Sequence, residues 1–340
     1  MKVAIISTRA YESARVRGEG LLRMFRKIGI TARIVYGLGT LVRLAGNAGR
    51  RWPASTLEKA RDRGILRLLS RFDLFIICGY MRPAFLPGRF GIEVLRHRFP
   101  KTPLVLYTVS YLGSSPDWMS RMKKAGGFTV DRYDWHLVVS PVGKQPIPAD
   151  HPCQAVGINL EVPGLYPPHK KRFTALLDHA REGFENERAL QMRGLEATGV
   201  PFEKLTTPLS FTAIYRRYRR SSIYFLSFLE SFGIPICETQ LCGNFVFTPA
   251  VEWPQAHRIP EPFRREGRVI LNENFFVYDD LGDLKEKILH ARDIHQPLEI
   301  HRRFIEHHPN FYRGDLDELK KFMVRAERGE LWARDFREST

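Results

Sequence analysis

Residues 222–248 read SIYFLSFLESFGIPICETQLCGNFVFT, and this stretch decides the architecture. Ser222 to Phe228 is a short continuous apolar run of the kind found in strands covered on both faces. Asn244 to Thr248 is a second such run. Between them Pro235 suits the start of a helix, where its missing N–H costs nothing, and Gly243 suits the helix stop. Gly233 falls in the connecting turn, where the absence of a Cβ lets a ligand approach the backbone. Strand, turn, helix and strand in this order are the unit of a parallel sheet.

The same alternation extends in both directions. Upstream, the pattern predicts strands at 2–7, 31–36, 72–78, 103–109, 135–139 and 173–178. It predicts helices near 18–28, with Leu21, Leu22, Phe25 and Ile28 on one face, and over 55–71, 185–198 and 210–219. Downstream it predicts a helix at 235–242, a strand at 275–278, a helix at 281–291 and a last amphipathic helix over 315–328. Asp315, Asp317 and Glu318 at the start of that helix and Arg325 and Arg328 near its end suit the helix dipole. The prolines at 141, 146, 148 and 152 mark a linker. The expectation is an α/β chain of two Rossmann-like domains, bounded at 1–152 and 153–312, with a C-terminal segment 313–340.

The chain has 340 residues with 44% hydrophobic residues, enough for two packed cores, and this excludes a disordered chain. Four cysteines (Cys78, Cys153, Cys237, Cys242) without a CxxC pair exclude a disulfide scaffold and a cysteine zinc site. They suggest a reducing cytoplasm. No apolar run has the length of a membrane-spanning helix, and the first run is too short for a signal peptide. The net charge of +16 is divided unevenly. Residues 1–150 hold 26 Lys and Arg against 10 Asp and Glu, and residues 151–340 hold 27 against 27. The first domain therefore suits an anionic partner, the second a different one.

The turn in the opening stretch also carries candidate chemistry. Free N–H groups of Phe232, Gly233 and Ile234 at a helix N-terminus form a site for a negatively charged or hydroxyl-rich ligand. Glu230 and Glu238 flank it, each able to accept hydrogen bonds from sugar hydroxyls. The order Glu-x-Phe-Gly-x-Pro-x-x-Glu resembles the Glu-x7-Glu motif of retaining GT-B glycosyltransferases of the family 4 type. Gly157-Ile158-Asn159-Leu160-Glu161, with Tyr166-Pro167, resembles the segment that leads into their C-terminal domain. The resemblance implies a GT-B fold, two Rossmann-like domains facing a cleft with a C-terminal helix crossing back to the first. It implies transfer of a sugar from a nucleotide sugar to a glycan or lipid-linked acceptor, with retention. By the same likeness Glu230 acts on the donor sugar, which it holds with the 232–234 backbone, and Glu238 holds the ribose.

The sequence departs from the family in two places. The Gly-Arg and Lys that usually clamp the diphosphate are absent after residue 178, where Arg181 and then Arg188 are the substitutes. The family's His after a first-domain strand is replaced by Ser110-Tyr111. Arg15, Arg17, Gly18 and Gly20 are candidates for a phosphate or acceptor loop at the first helix N-terminus. No metal site is expected, because no Asp-x-Asp or HExxH pattern occurs, and no cofactor beyond the nucleotide-sugar substrate. The arginine-rich stretch from Arg43 through Arg50, Arg51, Arg61, Arg63 and Arg67 to Arg71 is the expected contact with an anionic membrane. Each such residue contributes about 1 kcal/mol near an anionic leaflet. A cytoplasmic enzyme, peripheral on the inner face of the membrane and serving polysaccharide or lipopolysaccharide synthesis, is the expectation. Nucleic acid is not the expected partner, and Arg216, Arg217, Arg219 and Arg220 read as a solvated helix face. A sugar-nucleotide epimerase and a non-catalytic glycan- or nucleic-acid-binding module are the alternatives.

Overall fold

The computed structural model describes residues 1–7, 12–36, 64–78, 92–110, 133–141, 152–168, 172–179, 181–206, 209–259 and 271–331. The chain forms two compact units. The first comprises Met1–Asn159 and Arg313–Thr340, the second Leu160–Tyr312.

In the first unit the elements are β1 (Lys2–Ser7), α1 (Glu12–Lys27), β2 (Thr31–Tyr36), β3 (Leu74–Cys78), α2 (Ile92–Arg98), β4 (Leu104–Thr108), β5 (Trp135–Val138) and β6 (Cys153–Ala155). The strands form one parallel sheet in the order β2-β1-β3-β4-β5-β6. Every residue of β3 and β4 is buried, as a sheet covered on both faces requires. Ala4, Ile6, Phe75, Ile77, Leu104 and Leu106 form a core layer against Leu69 and Leu95. Residues 64–69 are helical and 70–71 form a turn, so the helix expected over 55–71 ends earlier, and its first part, 55–63, lies outside the described residues.

The second unit contains β7 (Ala175–Leu177), α3 (Glu185–Thr198), β8 (Phe202–Lys204), α4 (Phe211–Arg220), β9 (Ile223–Phe225), α5 (Ile234–Leu241), β10 (Phe245–Thr248), β11 (Phe275–Val277), α6 (Leu281–Ile294), α7 (Pro297–His307) and α8 (Pro309–Tyr312). Its sheet is also parallel, in the order β11-β10-β9-β7-β8. Ala175, Leu177, Ile223, Phe225, Phe245 and Phe247 pack against Leu195, Leu284 and Ile288 of the flanking helices. A last helix, α9 (Leu316–Glu327), joins the first unit. Asp315 caps it by accepting from the Glu318 N–H at 3.0 Å, and Gln154 donates to the Glu318 carboxylate at 2.6 Å. Its buried stripe is Leu319, Phe322, Met323 and Ala326.

Three expectations are corrected. The first boundary falls at 159/160 rather than 152/153, because Cys153–Ala155 pairs with β5 and completes the first sheet. α1 begins at Glu12 rather than near residue 18, so Gly18 and Gly20 lie in its interior instead of at its N-terminus. β8 and α7 were not expected; β8 is a three-residue edge strand with two exposed side chains.

Strand order reverses between β1 and β3 in the first sheet and between β7 and β9 in the second. In open α/β sheets the crevice beyond the carboxyl ends of the strands at such a point is where ligands bind.

Candidate functional site

At the second unit's reversal point, the chain leaving β9 runs through Ser227 and Glu230 into the N-terminus of α5. Gly233 caps that helix with φ 56° and ψ 98°. This is a conformation L-residues avoid. A Cβ placed there would lie 2.7 Å from Glu230 Cγ and 2.7 Å from Ile236 Cδ1. Glycine is therefore needed twice, for the backbone and for the room it leaves Glu230. The Gly233 N–H lies close enough to the Glu230 carboxylate to hold its pKa down. The N–H groups of Phe232 and Ile234 make no hydrogen bond among the described residues. Pro235 stands at the second helical position, one later than expected.

The turn is held from behind. Phe232 is buried, its ring edge-on to Phe311 with centroids 4.9 Å apart. His257 Nε2 donates to the Phe232 carbonyl at 2.6 Å. Burial pulls the His257 pKa down to about 4, so the ring is neutral and keeps this donor geometry at neutral pH. The Ala256 N–H donates to the Ser231 carbonyl at 2.8 Å. These contacts fix the helix N-terminus without using the N–H groups of Phe232 and Ile234.

Glu238 lies one turn into α5 and is 4% exposed. Tyr215, on α4, donates its hydroxyl to Glu238 Oε1 at 2.9 Å.

Asp178 follows β7 directly and is buried. Tyr224 donates its hydroxyl to Asp178. Burial raises the Glu230 pKa most, and Asp178 raises it further, while the Gly233 N–H and Arg181 act the other way. Asp178 and Glu230 are thus a carboxylate pair across the reversal point. Sequence reasoning missed Asp178, which reads as the last residue of an apolar strand. Arg181 stacks its guanidinium 4.3 Å above the Phe228 ring. Arg188 donates to the Asp178 carbonyl through Nη2, while Nε and Nη1 are buried with no hydrogen-bond partner among the described residues. Burial pulls the Arg188 pKa down, partly offset by Asp178. Beneath it, Gln191 donates to the Leu226 carbonyl at 2.5 Å and the Tyr278 hydroxyl at 2.9 Å, and Ser227 donates to Gln191 Oε1 at 2.9 Å. This network locks the exit of β9. Arg181 and Arg188, Asp178, Glu230 and the start of α5 are therefore gathered at one edge of one sheet.

The first-unit candidates separate. Gly18 and Gly20 are packing glycines. A Cβ at Gly18 would come 3.1 Å from the Ser7 side chain, and one at Gly20 would come 2.7 Å from the Asn159 carbonyl. They let α1 lie close to β1 and to the chain after β6, and they form no phosphate loop. Arg15 pairs with Glu19 at 2.8 Å. Arg17 differs: it is 7% exposed, its Nε is buried without a hydrogen bond, and it has no ion pair among the described residues. It lies close enough to Cys78 and Tyr107 to oppose the rise that burial imposes on both. Cys78 closes β3, so Arg17 stands at the first sheet's reversal point. Ser110 follows β4, and its carbonyl accepts from the Thr108 hydroxyl at 2.8 Å. Tyr111, Arg43, Arg50, Arg51, Arg61 and Arg63 lie outside the described residues. Among the described residues no three His, Cys, Asp or Glu side chains are grouped to hold a metal ion, and no helix is long and apolar enough to cross a membrane.

No family model matches the sequence, and no curated protein matches it. Solved structures do match in fold. An alpha-glucosyltransferase in complex with UDP and a 13-mer DNA containing a central A:G mismatch is 13% identical, with 95% of this chain and 100% of that one covered, at a TM-score of 0.56. A provisionally assigned UDP-N-acetylglucosamine 2-epimerase from Listeria monocytogenes is 13% identical, with 98% and 97% covered, at a TM-score of 0.52. With two parallel α/β units on the page, these likenesses give the fold: GT-B, built of two Rossmann-like domains.

Proposed function

We propose that this GT-B chain is a nucleotide-sugar-dependent glycosyltransferase. The observation that carries the reading is the reversal point of the second sheet. There two carboxylates eight residues apart flank a helix N-terminus with unpaired N–H groups, and two arginines stand at the same edge. Glu230 and the 232–234 backbone grip the donor sugar, and Glu238, steadied by Tyr215, grips the ribose. Arg181 and Arg188 face the diphosphate. As the glycosidic bond breaks, negative charge grows on that diphosphate, and fixed cations and helix N–H groups stabilise it without reorganising. This makes the reaction metal-independent, so EDTA leaves the rate unchanged; full loss of activity restored by Mg²⁺ or Mn²⁺ would contradict it. Transfer proceeds with retention, as the Glu-x7-Glu resemblance implies.

The first unit takes the acceptor. Its whole excess of +16, beside a neutral second unit, favours an acceptor on an anionic surface, such as a lipid-linked glycan of the cell envelope on the inner face of the membrane. The glucosyltransferase of like fold was solved with DNA, so duplex DNA is the competing anionic acceptor. The test is a panel of nucleotide sugars offered with and without acceptors. Transfer supports the reading; donor interconversion without any acceptor means an epimerase instead, and neither activity means a binding module. Pelleting with anionic but not neutral vesicles supports the membrane-borne acceptor. Tight, salt-steep binding to duplex DNA instead would replace it.

A further inference from the structure

A cavity of about 1080 Å³ lies away from the donor edge. Its lining includes the residues that open β7, β8 and the approach to β9: Thr174, Phe202 and Ser221. These mark the amino ends of the parallel strands, whereas Asp178 and Glu230 follow the carboxyl ends. Arg181, Arg188 and Glu230 do not line it.

Five arginines do: Arg172, Arg216, Arg217, Arg219 and Arg220, against a single acid, Glu203. Arg217 is paired with Glu203 at 2.5 Å. The guanidinium groups of Arg172, Arg216, Arg219 and Arg220 have no ion pair among the described residues, and all four are exposed. The carboxyl end of α4 offers only about half a negative charge to them. Four unpaired positive charges around one hollow therefore exceed what the helix dipole accounts for. They stand out further because the second unit as a whole is neutral. Three half-buried aromatic rings line the same groove: Phe202, Phe211 and Tyr215. Phe211 and Tyr215 meet edge-on with ring centroids 5.7 Å apart.

We propose that this groove binds single-stranded nucleic acid. Planar guanidinium forks match phosphate oxygens two at a time, and aromatic faces accept successive bases regardless of sequence. The concave shape disfavours a flat lipid surface, and the rings have no role in a purely ionic contact. None of its arginines serves the donor edge, and the residue it shares with the donor reading is Tyr215, whose hydroxyl holds Glu238.

The experiment uses the full chain and a fluorescein-labelled oligothymidylate of about 12 nucleotides, titrated by anisotropy at several salt concentrations. Arg216, Arg219 and Arg220 are replaced together by Gln. Each phosphate contact contributes about 0.7 to the slope of log affinity against log salt for single strands, so the slope should fall by about 2. A second variant, Phe211→Ala, should weaken binding about 5- to 150-fold with the slope kept, because one stacked base is lost. Photocrosslinking should map the strand to peptides within 202–220. Unchanged slope and affinity in the triple variant would overturn the proposal and assign the strand to the basic first unit. Retained oligonucleotide binding with lost binding to anionic vesicles would overturn it in favour of a lipid contact. Melting curves verify that both variants fold.

Discussion

Replacing Gly233 by Ala tests the candidate site at its tightest point. The position has φ 56° and ψ 98°, outside the regions open to an alanine. Holding a non-glycine residue there costs of order 1–3 kcal/mol. The new methyl group also meets Glu230 Cγ and Ile236 Cδ1 at 2.7 Å each, closer than carbon atoms pack. Alanine reduces the entropy of the unfolded chain, which offsets only about 0.4–1 kcal/mol where the native conformation suits it, and here it does not. Strain wins. At about 2–4 °C per kcal/mol for a unit of this size, the melting temperature should fall by roughly 2–12 °C. Ile236 is locked in the core, so the clash is relieved mainly by swinging Glu230 out. Its contact with the donor sugar is then lost. A hydrogen bond to a charged group contributes about 1.5–3 kcal/mol, so kcat/KM for transfer should fall about 10- to 150-fold. Glu238 is not touched, and affinity for the free nucleoside diphosphate should stay within about twofold. Differential scanning fluorimetry, a transfer assay and calorimetric titration of the nucleotide measure the three quantities. An unchanged melting temperature with unchanged kcat/KM would refute the geometry of the turn. Equal losses in kcat/KM and nucleotide affinity would refute the assignment of Glu230 to the sugar.

Glu230→Gln should raise stability while lowering transfer. The folded-state pKa of Glu230 is raised by burial and by Asp178, so the stability it confers is full below the unfolded value of about 4.5 and is lost as pH rises through the folded value. The amide removes that loss, so the variant should melt higher at pH 7.5 and match the parent near pH 4; a lower melting temperature at pH 7.5 would make Glu230 only a structural acceptor. Glu238→Ala should weaken the nucleotide about 10- to 150-fold in a folded protein, and unchanged affinity by titration would remove the ribose assignment. Arg17→Met, close in volume, removes a buried charge with no ion pair among the described residues and should leave the melting temperature equal or higher. If Arg17 holds an anionic group of the substrate, activity should nonetheless drop; a strongly lowered melting temperature with normal activity would show a structural role.

The sheet plan was legible because each core strand is a continuous apolar run and each helix carries its own punctuation. Gly199 in the left-handed conformation ends α3 where the sequence places the stop, and Asp315 begins α9. Glu230 and Glu238 were legible because a glycine and a proline between them define a turn into a helix. Asp178 was not, since a single acid after LL looks like any strand end, and its meaning arises only when β9 is laid beside β7. Arg17 was placed in a loop for a physical reason. Gly18 and Gly20 look like turn residues, yet they are inside a helix because Ser7 and the Asn159 backbone approach too closely for a side chain. β8 was invisible because Phe202–Lys204 has one partly buried residue and no alternation to read.

The two reversal points share a logic that stability alone does not explain. In the first sheet a guanidinium is buried at the end of β3 with no counter-ion among the described residues. In the second, two carboxylates are brought together at the ends of β7 and β9, and two nitrogens of Arg188 are left unsatisfied. A buried ionic group without a partner costs several kcal/mol, and an apolar residue in its place would be neutral or better. Asp134 is buried and meets Arg96 at 2.7 Å, and Asn274 donates to Gln240 and to the Ile300 carbonyl, although Asp134 Oδ1 and Asn274 Oδ1 have no hydrogen-bond partner among the described residues. Unmet polar groups are thus present at both reversal points and at a few places beyond them. Charge of both signs kept unsatisfied in the free protein is what a site needs if its ligand supplies the missing partners. A nucleotide sugar carries the phosphates for Arg188 and the hydroxyls for Glu230.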